Sequence, residues 1–285
     1  MSVKRILLLS VLLAGFTGAQ KLAFENSFGS FDGASSFSYV TTGFFYVACE
    51  GSETVVKIDT NGNETASVGG YGWEQSAFDD PVDVFATPLK VYVADKNNNR
   101  IQVFDRFLNY QFEIKDEATT VFPQSVAVSD QGDVFILDSD NLRILKFDMF
   151  GNFIDEIGTI TSGKFTFVEP KKLAISQNND LFVLDKKRIL IFDLFGNGKQ
   201  IYTLPFEAEN INIFGKIITV NGLYEIISID LRTGKTNLLN KISKHLGADF
   251  IVDSVIIRKK LYVLTQSQIL VFKISSVKKR SGKNG

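Results

Sequence analysis

The sequence predicts an all-β fold, and three observations support this prediction. First, the stretch VYVADKNNNRIQVFD at residues 91–105 recurs at 134–148 as VFILDSDNLRILKFD and at 181–193 as LFVLDKKRILIFD. Second, the second and third strands of each copy are apolar at nearly every position, as in sheets covered on both faces. Third, the closing position recurs at intervals of 37 to 46 residues, at Asp59, Asp105, Asp148, Asp193, Asp230 and Lys273. This period predicts a six-bladed β-propeller of four-stranded antiparallel blades.

Each repeat is predicted to contain four strands. The inner strands, which would line the central axis, are VDVFAT, SVAVS and KLAIS in the clearest copies, and they follow Pro81, Pro123 and Pro170. Because proline cannot donate to a strand ladder, we expect it in the connection before each strand. The second strands are of the type VYVAD, the third of the type RIQVFD, and the outer strands of the type YQFEI. Glycine-containing turns such as DMFGNF separate the third and outer strands.

The sixth repeat has no outer strand of its own, since ILVFKI is followed directly by SSVKKRSGKNG. The segment KLAFENSFG at residues 21–29 belongs to no repeat and is similar to the outer strand FIDEIG. Pairing residues 21–29 with residues 269–274 would close the ring and cover two sheet edges at once. We therefore predict that an N-terminal strand completes the last blade.

The two ends of the chain are predicted to lie outside the propeller, which would comprise residues 20–275. The first 19 residues combine Lys4 and Arg5 with an apolar run and a small residue at Ala19, which predicts a signal peptide cleaved after Ala19. The apolar run is too short to span a bilayer, so no transmembrane segment is predicted. Residues 276–285 are predicted to form a basic flexible tail. We expect a secreted or periplasmic protein.

The repeats resemble those of the NHL-repeat family. The residues that carry the resemblance in the second repeat are Tyr92, Val93, Asp95, Asn99, Arg100, Ile101, Val103, Phe104 and Asp105. The third repeat shares Asp138 and Arg143, and the fourth shares Asp185 and Arg188. The resemblance implies a six-bladed propeller, in a family whose members bind proteins, RNA or carbohydrates and include a few metal-dependent lyases. The signal peptide and the single cysteine, Cys49, favour a bacterial member.

No catalytic constellation is recognisable, and no cofactor is predicted. The chain has one histidine, His245, so a zinc site with three histidines cannot be formed within it. Asp83, Asn212 and Asp253 are the carboxylate and amide residues of the inner strands, and they could converge on the axis as calcium ligands. The alternative is that they cap the starts of their strands. We favour the second interpretation and predict no metal.

The loop GGYGWEQSAFDDP, residues 69–81, is long enough to bind a partner and contains Tyr71 and Trp73. Exposed aromatic residues are enriched in recognition sites, although Trp73 could instead pack over the end of a blade.

Three aspartate–arginine pairs flank the turns between second and third strands: Asp95/Arg100, Asp138/Arg143 and Asp185/Arg188. We expect each aspartate to form an ion pair with its arginine and also to accept N–H groups of the turn. The repetition in three blades favours this structural role, because one function rarely needs the same pair three times. The alternative is that Arg100, Arg143 and Arg188 form a curved basic row with Lys96, Lys186 and Lys187, suited to an acidic polymer or protein.

These observations favour a non-catalytic propeller that binds a protein or extracellular polymer through its loop face. The alternative is a metal-dependent lactonase or lyase with its site at the axis. A net charge of −1 argues against a nucleic-acid partner. We expect a monomer unless the protein belongs to an envelope complex.

Overall fold

The computed structural model describes residues 20–115, 121–239 and 242–276, which form six four-stranded antiparallel sheets. The predicted six-bladed propeller is therefore confirmed. The predicted signal peptide, residues 1–19, and nearly all of the predicted tail lie outside the described residues. Within these residues, helical structure comprises two short 3₁₀ segments, Ile160–Phe165 and Ser243–His245. Neither has the length and apolar character needed to cross a membrane.

The first three blades follow one another along the chain. In the order from axis to rim, their strands are β2 Ala34–Val40, β3 Phe44–Cys49, β4 Thr54–Asp59 and β5 Glu64–Gly69; β6 Pro81–Ala86, β7 Lys90–Asp95, β8 Arg100–Asp105 and β9 Tyr110–Ile114; and β10 Pro123–Val128, β11 Val134–Asp138, β12 Arg143–Phe147 and β13 Phe153–Ile157.

The last three blades complete the ring. Their strands, in the same order, are β14 Pro170–Ile175, β15 Leu181–Asp185, β16 Arg188–Phe192 and β17 Gly198–Thr203; β18 Asn210–Phe214, β19 Ile217–Asn221, β20 Ile226–Asp230 and β21 Thr236–Leu239; and β22 Asp253–Ile257, β23 Lys260–Leu264, β24 Ile269–Ser276 and β1 Gln20–Phe28.

The core lies between adjacent blades, which explains why the second and third strands are apolar on both faces. In one cluster, Tyr92 and Val103 of the second blade pack against Val126, Ile136 and Leu145 of the third. The other faces of strands β11 and β12 pack against the fourth blade. Each interior strand is thus covered on both sides, so no wet face requires alternating polar residues.

The prolines lie within the inner strands and not in the connections before them, where they were predicted. Pro81, Pro123 and Pro170 are the first residues of inner strands β6, β10 and β14, where they pair with the last residues of the second strands. A register shift follows each proline at once, for example between Pro81 and Asp83. The first position of a strand tolerates proline because its missing N–H interrupts no bond in the strand interior.

The predicted closure of the ring is confirmed. Strand β1 pairs antiparallel with β24, from Gln20 opposite Ser276 to Phe28 opposite Ile269. Phe28 is buried in the cluster between the sixth and first blades, and Leu22 packs between the fifth and sixth. The first strand of the propeller therefore both covers an edge and fills the core on either side of its blade.

The topology divides the connections between two faces. The upper face carries the turns between second and third strands and the connections from one blade to the next. The lower face carries the turns between first and second strands and those between third and outer strands. Because β24 runs downwards and β1 upwards, Ser276 and Gln20 both lie at the lower face.

Aspartate-capped turns join the third and outer strands on the lower face. In the first blade, Asp59 Oδ1 accepts the N–H groups of Asn61 and Asn63 at 2.8 and 2.9 Å, and the Asn63 amide donates to Asp59 Oδ2 at 2.9 Å. The hydrogen bond from the Asn63 side chain, reinforced by the backbone donors, lowers the pKa of Asp59. Asp105, Asp148 and Asp193 repeat the arrangement with the asparagine four residues further on.

Candidate functional site

A ring of six polar side chains, one from each inner strand, lies at the axis of the propeller. Each of the first five inner strands contributes its third residue, and the sixth contributes its first: Ser36, Asp83, Ser125, Lys172, Asn212 and Asp253. Asp83 is buried at the centre of one half of this axial ring. Its Oδ1 accepts the Ser36 hydroxyl at 2.6 Å and pairs with the Lys172 ammonium.

The other oxygen of Asp83 is equally occupied. Asp83 Oδ2 accepts the Ser125 hydroxyl at 2.5 Å and the backbone N–H of Val126 at 3.0 Å. Lys172 also donates to the Ser36 hydroxyl at 2.9 Å, so one carboxylate joins the inner strands of four blades. Buried carboxylates are tolerated where a cation and hydrogen-bond donors compensate for lost hydration, as they do here.

Asp253 and Asn212 form the other half of the axial ring. The Asn212 amide donates to Asp253 at 3.2 Å, and the N–H of Ser254 donates to Asp253 Oδ1 at 2.6 Å. Burial raises the pKa of Asp253 to about 7, although the nearby Lys172 ammonium opposes the shift. A carboxyl group with a pKa in this range is able to exchange a proton near neutral pH.

The residues predicted as possible calcium ligands do not fit a cation. Both oxygens of Asp83 are saturated by donors, and an ammonium group already stands beside them. Asn212 presents its amide N–H group, not its oxygen, to Asp253. Among the described residues, no group of three or more histidine, cysteine, aspartate or glutamate side chains is placed to hold a metal ion.

Lys172 separates two cavities along the axis. The lower cavity, about 250 Å³, is lined by Asp83, Lys172 and Asn212 of the axial ring and by aromatic residues such as Tyr39, Phe85 and Phe214. The upper cavity, about 240 Å³, is bordered by Glu50, Gln124, Lys171 and Glu209 among others. The axis is therefore closed by charged side chains in the middle and open at both mouths.

The upper-face loop between the first and second blades exposes two aromatic rings. Tyr71 and Trp73 are 71% and 70% exposed, whereas Phe78 of the same loop is fully buried between the blades. The N–H of Phe78 donates to the carbonyl of Gly70 at 3.0 Å, and that of Gly72 donates to the carbonyl of Phe78 at 2.9 Å. Trp73 thus does not pack over the blade end; Phe78 takes that position.

Side chains of the second blade hold this loop in place. The Arg100 guanidinium donates to the carbonyls of Glu74 and Ala77 at 2.9 and 3.1 Å, and the Gln102 amide donates to the carbonyl of Ala77 at 2.6 Å. The Asn98 amide donates to the carbonyl of Gly72 at 2.9 Å. The backbone that carries Tyr71 and Trp73 is therefore fixed at several points.

The three aspartate–arginine pairs are ion pairs with buried aspartates. Their distances are 2.8 Å for Asp95–Arg100, 2.9 Å for Asp138–Arg143 and 2.6 Å for Asp185–Arg188. Each aspartate also accepts an N–H group from the connection that enters its own blade, namely that of Asp79, Phe122 or Val168. These N–H groups belong to the connections between blades and not to the turns for which they were predicted. The ion pairs and these hydrogen bonds support the structural interpretation.

The residues of the alternative basic row differ in accessibility. Arg100 is buried, with 8% of its side chain exposed, and its guanidinium is directed at Asp95, Glu113 and the loop carbonyls. Lys186 and Lys187 are exposed on the upper face, and Lys186 Nζ lies 3.3 Å from Glu169 Oε2. Only these two lysines of the row are well placed to meet a ligand.

Replacing Arg143 by alanine should lower the free energy of unfolding by about 1–3 kcal/mol, because Asp138 is buried and would lose a charged donor. The measurement is urea denaturation of wild type and variant. The matched control replaces Lys186 and Lys187 by alanine, which should leave stability nearly unchanged, since exposed pairs contribute about 0–1 kcal/mol. An unchanged free energy of unfolding for Arg143→Ala, together with loss of ligand binding, would favour the interpretation of the arginines as a basic binding row.

Sequence reasoning missed Lys172, Ser36 and Ser125 in the axial ring. They occupy the same strand position as Asp83, and comparison of the residues two positions after Pro81, Pro123 and Pro170 would have found Ser125 and Lys172. It also missed Tyr224, which is 59% exposed in the upper-face turn of the fifth blade. His245 lies away from the axis, stacked on Phe24 at 4.6 Å between ring centroids.

Comparisons with known proteins match one repeat of the sequence and the fold as a whole. Residues 120–147 match the NHL repeat, whereas no curated protein sequence matches the chain. Among solved structures, a streptogramin B lyase superposes with a TM-score of 0.61 at 11% identity, covering 90% of this chain and 98% of the lyase.

A catalytically inactive virginiamycin B lyase from Staphylococcus aureus with quinupristin gives a TM-score of 0.62 at 11% identity, covering 89% of this chain and 99% of the other. A selenomethionine-substituted virginiamycin B lyase from the same organism gives 0.59 at 12%, with the same coverage. At such identity the likeness extends to the fold alone. The chain is a six-bladed β-propeller that contains an NHL repeat.

Proposed function

We propose that the protein is a non-catalytic binding protein that recognises a protein or extracellular polymer through its upper face. The observation that carries this proposal is the rigid loop between the first and second blades, which exposes Tyr71 and Trp73 while Phe78 anchors it. Exposing two large rings on a fixed backbone leaves apolar surface in water, which a binding partner would cover.

The hydrogen bonds that fix the loop lower the entropic cost of binding a partner. Because Arg100, Gln102 and Asn98 already fix the backbone, little conformational entropy remains to be lost when a partner docks. Tyrosine and tryptophan have few rotatable bonds, so their ordering costs little as well. The exposed Tyr224 and Lys187 of the same face add further contact points.

The proposed setting is outside the cytoplasm. A signal peptide cleaved after Ala19 would deliver the protein to the periplasm or the medium, leaving Gln20 as the first residue. Gln20 is also the first residue of strand β1, so cleavage there would leave the propeller complete. We propose that the delivered protein is a monomer.

The second candidate is an enzyme, a lactonase or lyase with its site at the axis. The similar solved structures are lyases, and the pKa of about 7 at Asp253 would suit proton transfer. The poor fit of Asp83 and Asn212 to a cation weighs against the metal-dependent form. Metal analysis of the dialysed protein separates the candidates: stoichiometric calcium or zinc would support the enzyme.

Trp73 provides the direct test of the binding proposal, because it is the only tryptophan of the chain. Its emission should shift to shorter wavelength when a partner covers the ring. We expect this shift with at least one component in a panel of extracellular polysaccharides and fractionated envelope proteins. Tyr71→Ala should weaken that binding by about tenfold or more, as expected for a central aromatic contact.

The matched control carries Phe107→Trp with Trp73→Phe, which moves the reporter to the lower face. Its emission should stay unchanged with the component that shifts Trp73. If no component of the panel shifts Trp73, or if the lower-face reporter responds equally, binding through the upper-face loop is wrong.

A further inference from the structure

The aspartate-capped turns of the lower face carry different side chains at one equivalent position. Two residues after the capping aspartate stand Asn61, Phe107, Phe150, Phe195 and Arg232, in the first to the fifth blade. In every case the N–H of this residue donates to the aspartate at 2.8 to 2.9 Å. Because asparagine forms the same turn in the first blade, the fold does not require phenylalanine there.

The three phenylalanines lie in consecutive blades and point into solvent. Phe107, Phe150 and Phe195 are 57%, 74% and 81% exposed. Since they occupy equivalent positions of a ring-shaped repeat, they form an arc on one face. The three rings therefore give this face three apolar projections at equivalent positions, of the kind that can enter the boundary between headgroups and acyl chains.

The same face is basic in the fifth and sixth blades. Exposed lysine and arginine side chains occupy their lower turns: Lys216, Arg232, Lys235, Arg258, Lys259 and Lys260. Two carboxylates lie among them, Asp230, which accepts the N–H groups of Arg232 and Thr233, and Glu25, which pairs with Lys260 at 2.7 Å. Positive charge therefore exceeds negative charge in this sector.

Two basic groups also lie beside Phe107, the first phenylalanine of the arc. The Arg106 guanidinium lies over the ring of Phe107, 4.7 Å from its centroid, and the Lys57 ammonium lies 5.2 Å from the same centroid. Positive charge thus lies beside one of the three apolar tips.

We propose that the lower face docks on the surface of an anionic lipid bilayer. The three phenylalanine tips enter the boundary between headgroups and acyl chains, while the basic turns of the fifth and sixth blades contact anionic headgroups. The phenylalanines project from separate turns and not as one patch. A bilayer accepts separate projections, whereas a protein partner needs a contiguous complementary surface of about 800 Å².

Docking of this kind does not depend on the binding proposed for the upper face. It would turn that face, with Tyr71 and Trp73, away from the membrane. The two proposals use residues on opposite faces, so each can fail without the other.

The test is cosedimentation of the protein from Gln20 to the C-terminus with vesicles. We expect binding to vesicles of phosphatidylglycerol and phosphatidylcholine, weaker binding at high salt, and little binding to phosphatidylcholine alone. Replacing Phe107, Phe150 and Phe195 together by serine should reduce the partition coefficient by about tenfold or more. The matched control, Tyr71→Ser with Trp73→Ser, should bind vesicles like the wild type.

Charge reversal tests the basic sector separately. Lys216→Glu with Lys235→Glu and Lys259→Glu should also reduce vesicle binding by about tenfold or more, whereas Lys187→Glu on the upper face should not. A Phe150→Trp variant in a Trp73→Phe background should shift its emission to shorter wavelength with anionic vesicles. This readout needs only one substitution at the arc and does not depend on the triple variant folding.

Three outcomes would overturn the proposal. The wild type could fail to bind anionic vesicles, or the serine variant, with an unchanged melt, could bind them as well as the wild type. In the third outcome, the wild type self-associates without binding vesicles, and the serine variant is monomeric. This result would show that the arc is an interface between copies of the chain.

Discussion

Deleting residues 20–31 should lower the free energy of unfolding by several kcal/mol, a large part of the total of about 5–15 kcal/mol typical of a domain. The deletion removes strand β1 and leaves β24 without its partner from Ile269 to Ser276. It also removes Phe28 and Leu22 from the core on the two sides of the sixth blade. The exposed edge should promote aggregation, because unpaired strand edges pair with other chains.

Thermal denaturation and light scattering measure both effects. The matched control removes residues 277–285, at the opposite end of the chain, which follow Ser276, the partner of Gln20. That truncation should leave the melting temperature unchanged. An equal melting temperature for the protein without residues 20–31 would show that the sixth blade is stable with three strands and that closure contributes little.

Lys172→Met should destabilise the propeller by about 3–5 kcal/mol, as expected when one partner of a buried ion pair is removed. Asp83 is buried and would keep its hydrogen bonds from Ser36, Ser125 and Val126 but lose the compensating charge. The methionine has a similar length, so the effect would come from the charge and not from a cavity. Urea denaturation at neutral pH gives the difference.

A second substitution separates the charge from the packing. Asp83→Asn in the Lys172→Met background should restore most of the lost stability, since the uncompensated carboxylate is gone. Lys171→Met is the matched control on the same strand. Lys171 pairs with Glu209 at 2.9 Å near the upper mouth and is partly exposed, so its loss should cost about 1 kcal/mol or less. Equal effects of the two lysine substitutions would contradict the special role of Lys172.

Features that repeat along the chain could be predicted from the sequence, because the same strand pattern recurs in each blade. The pairing of β1 with β24 was predictable because one blade lacked an outer strand and one segment lacked a blade. The Asp–Arg pairs were predictable as ion pairs for the same reason. Their second partners were not, because the N–H groups of Asp79, Phe122 and Val168 come from connections of different length and sequence.

The candidate sites were less predictable because they depend on contacts across the ring. Asp83 and Lys172 are 89 residues apart, and their pairing follows from how the inner strands face one another at the axis. The exposure of Trp73 depends on Phe78 taking the buried position in the same loop, and composition does not distinguish these two aromatic residues. The phenylalanines of the arc recur in the sequence two residues after the capping aspartate of three blades. Their exposure follows from the geometry of the turns and could not be predicted from this recurrence.

The closure of the ring by β1 also sets the order of folding events. Blades one to five can form from neighbouring segments as the chain emerges, whereas the sixth needs Gln20–Phe28 and Ile269–Ser276 together. Joining these ends closes a loop that spans nearly the whole propeller, and long-range pairing of this kind slows folding. Until the last residues are synthesised, β1 remains an unpaired strand. Because Gln20 and Ser276 are opposite each other, a short linker between them would convert this final encounter into a local hairpin, in a circular permutant that starts at another lower-face turn.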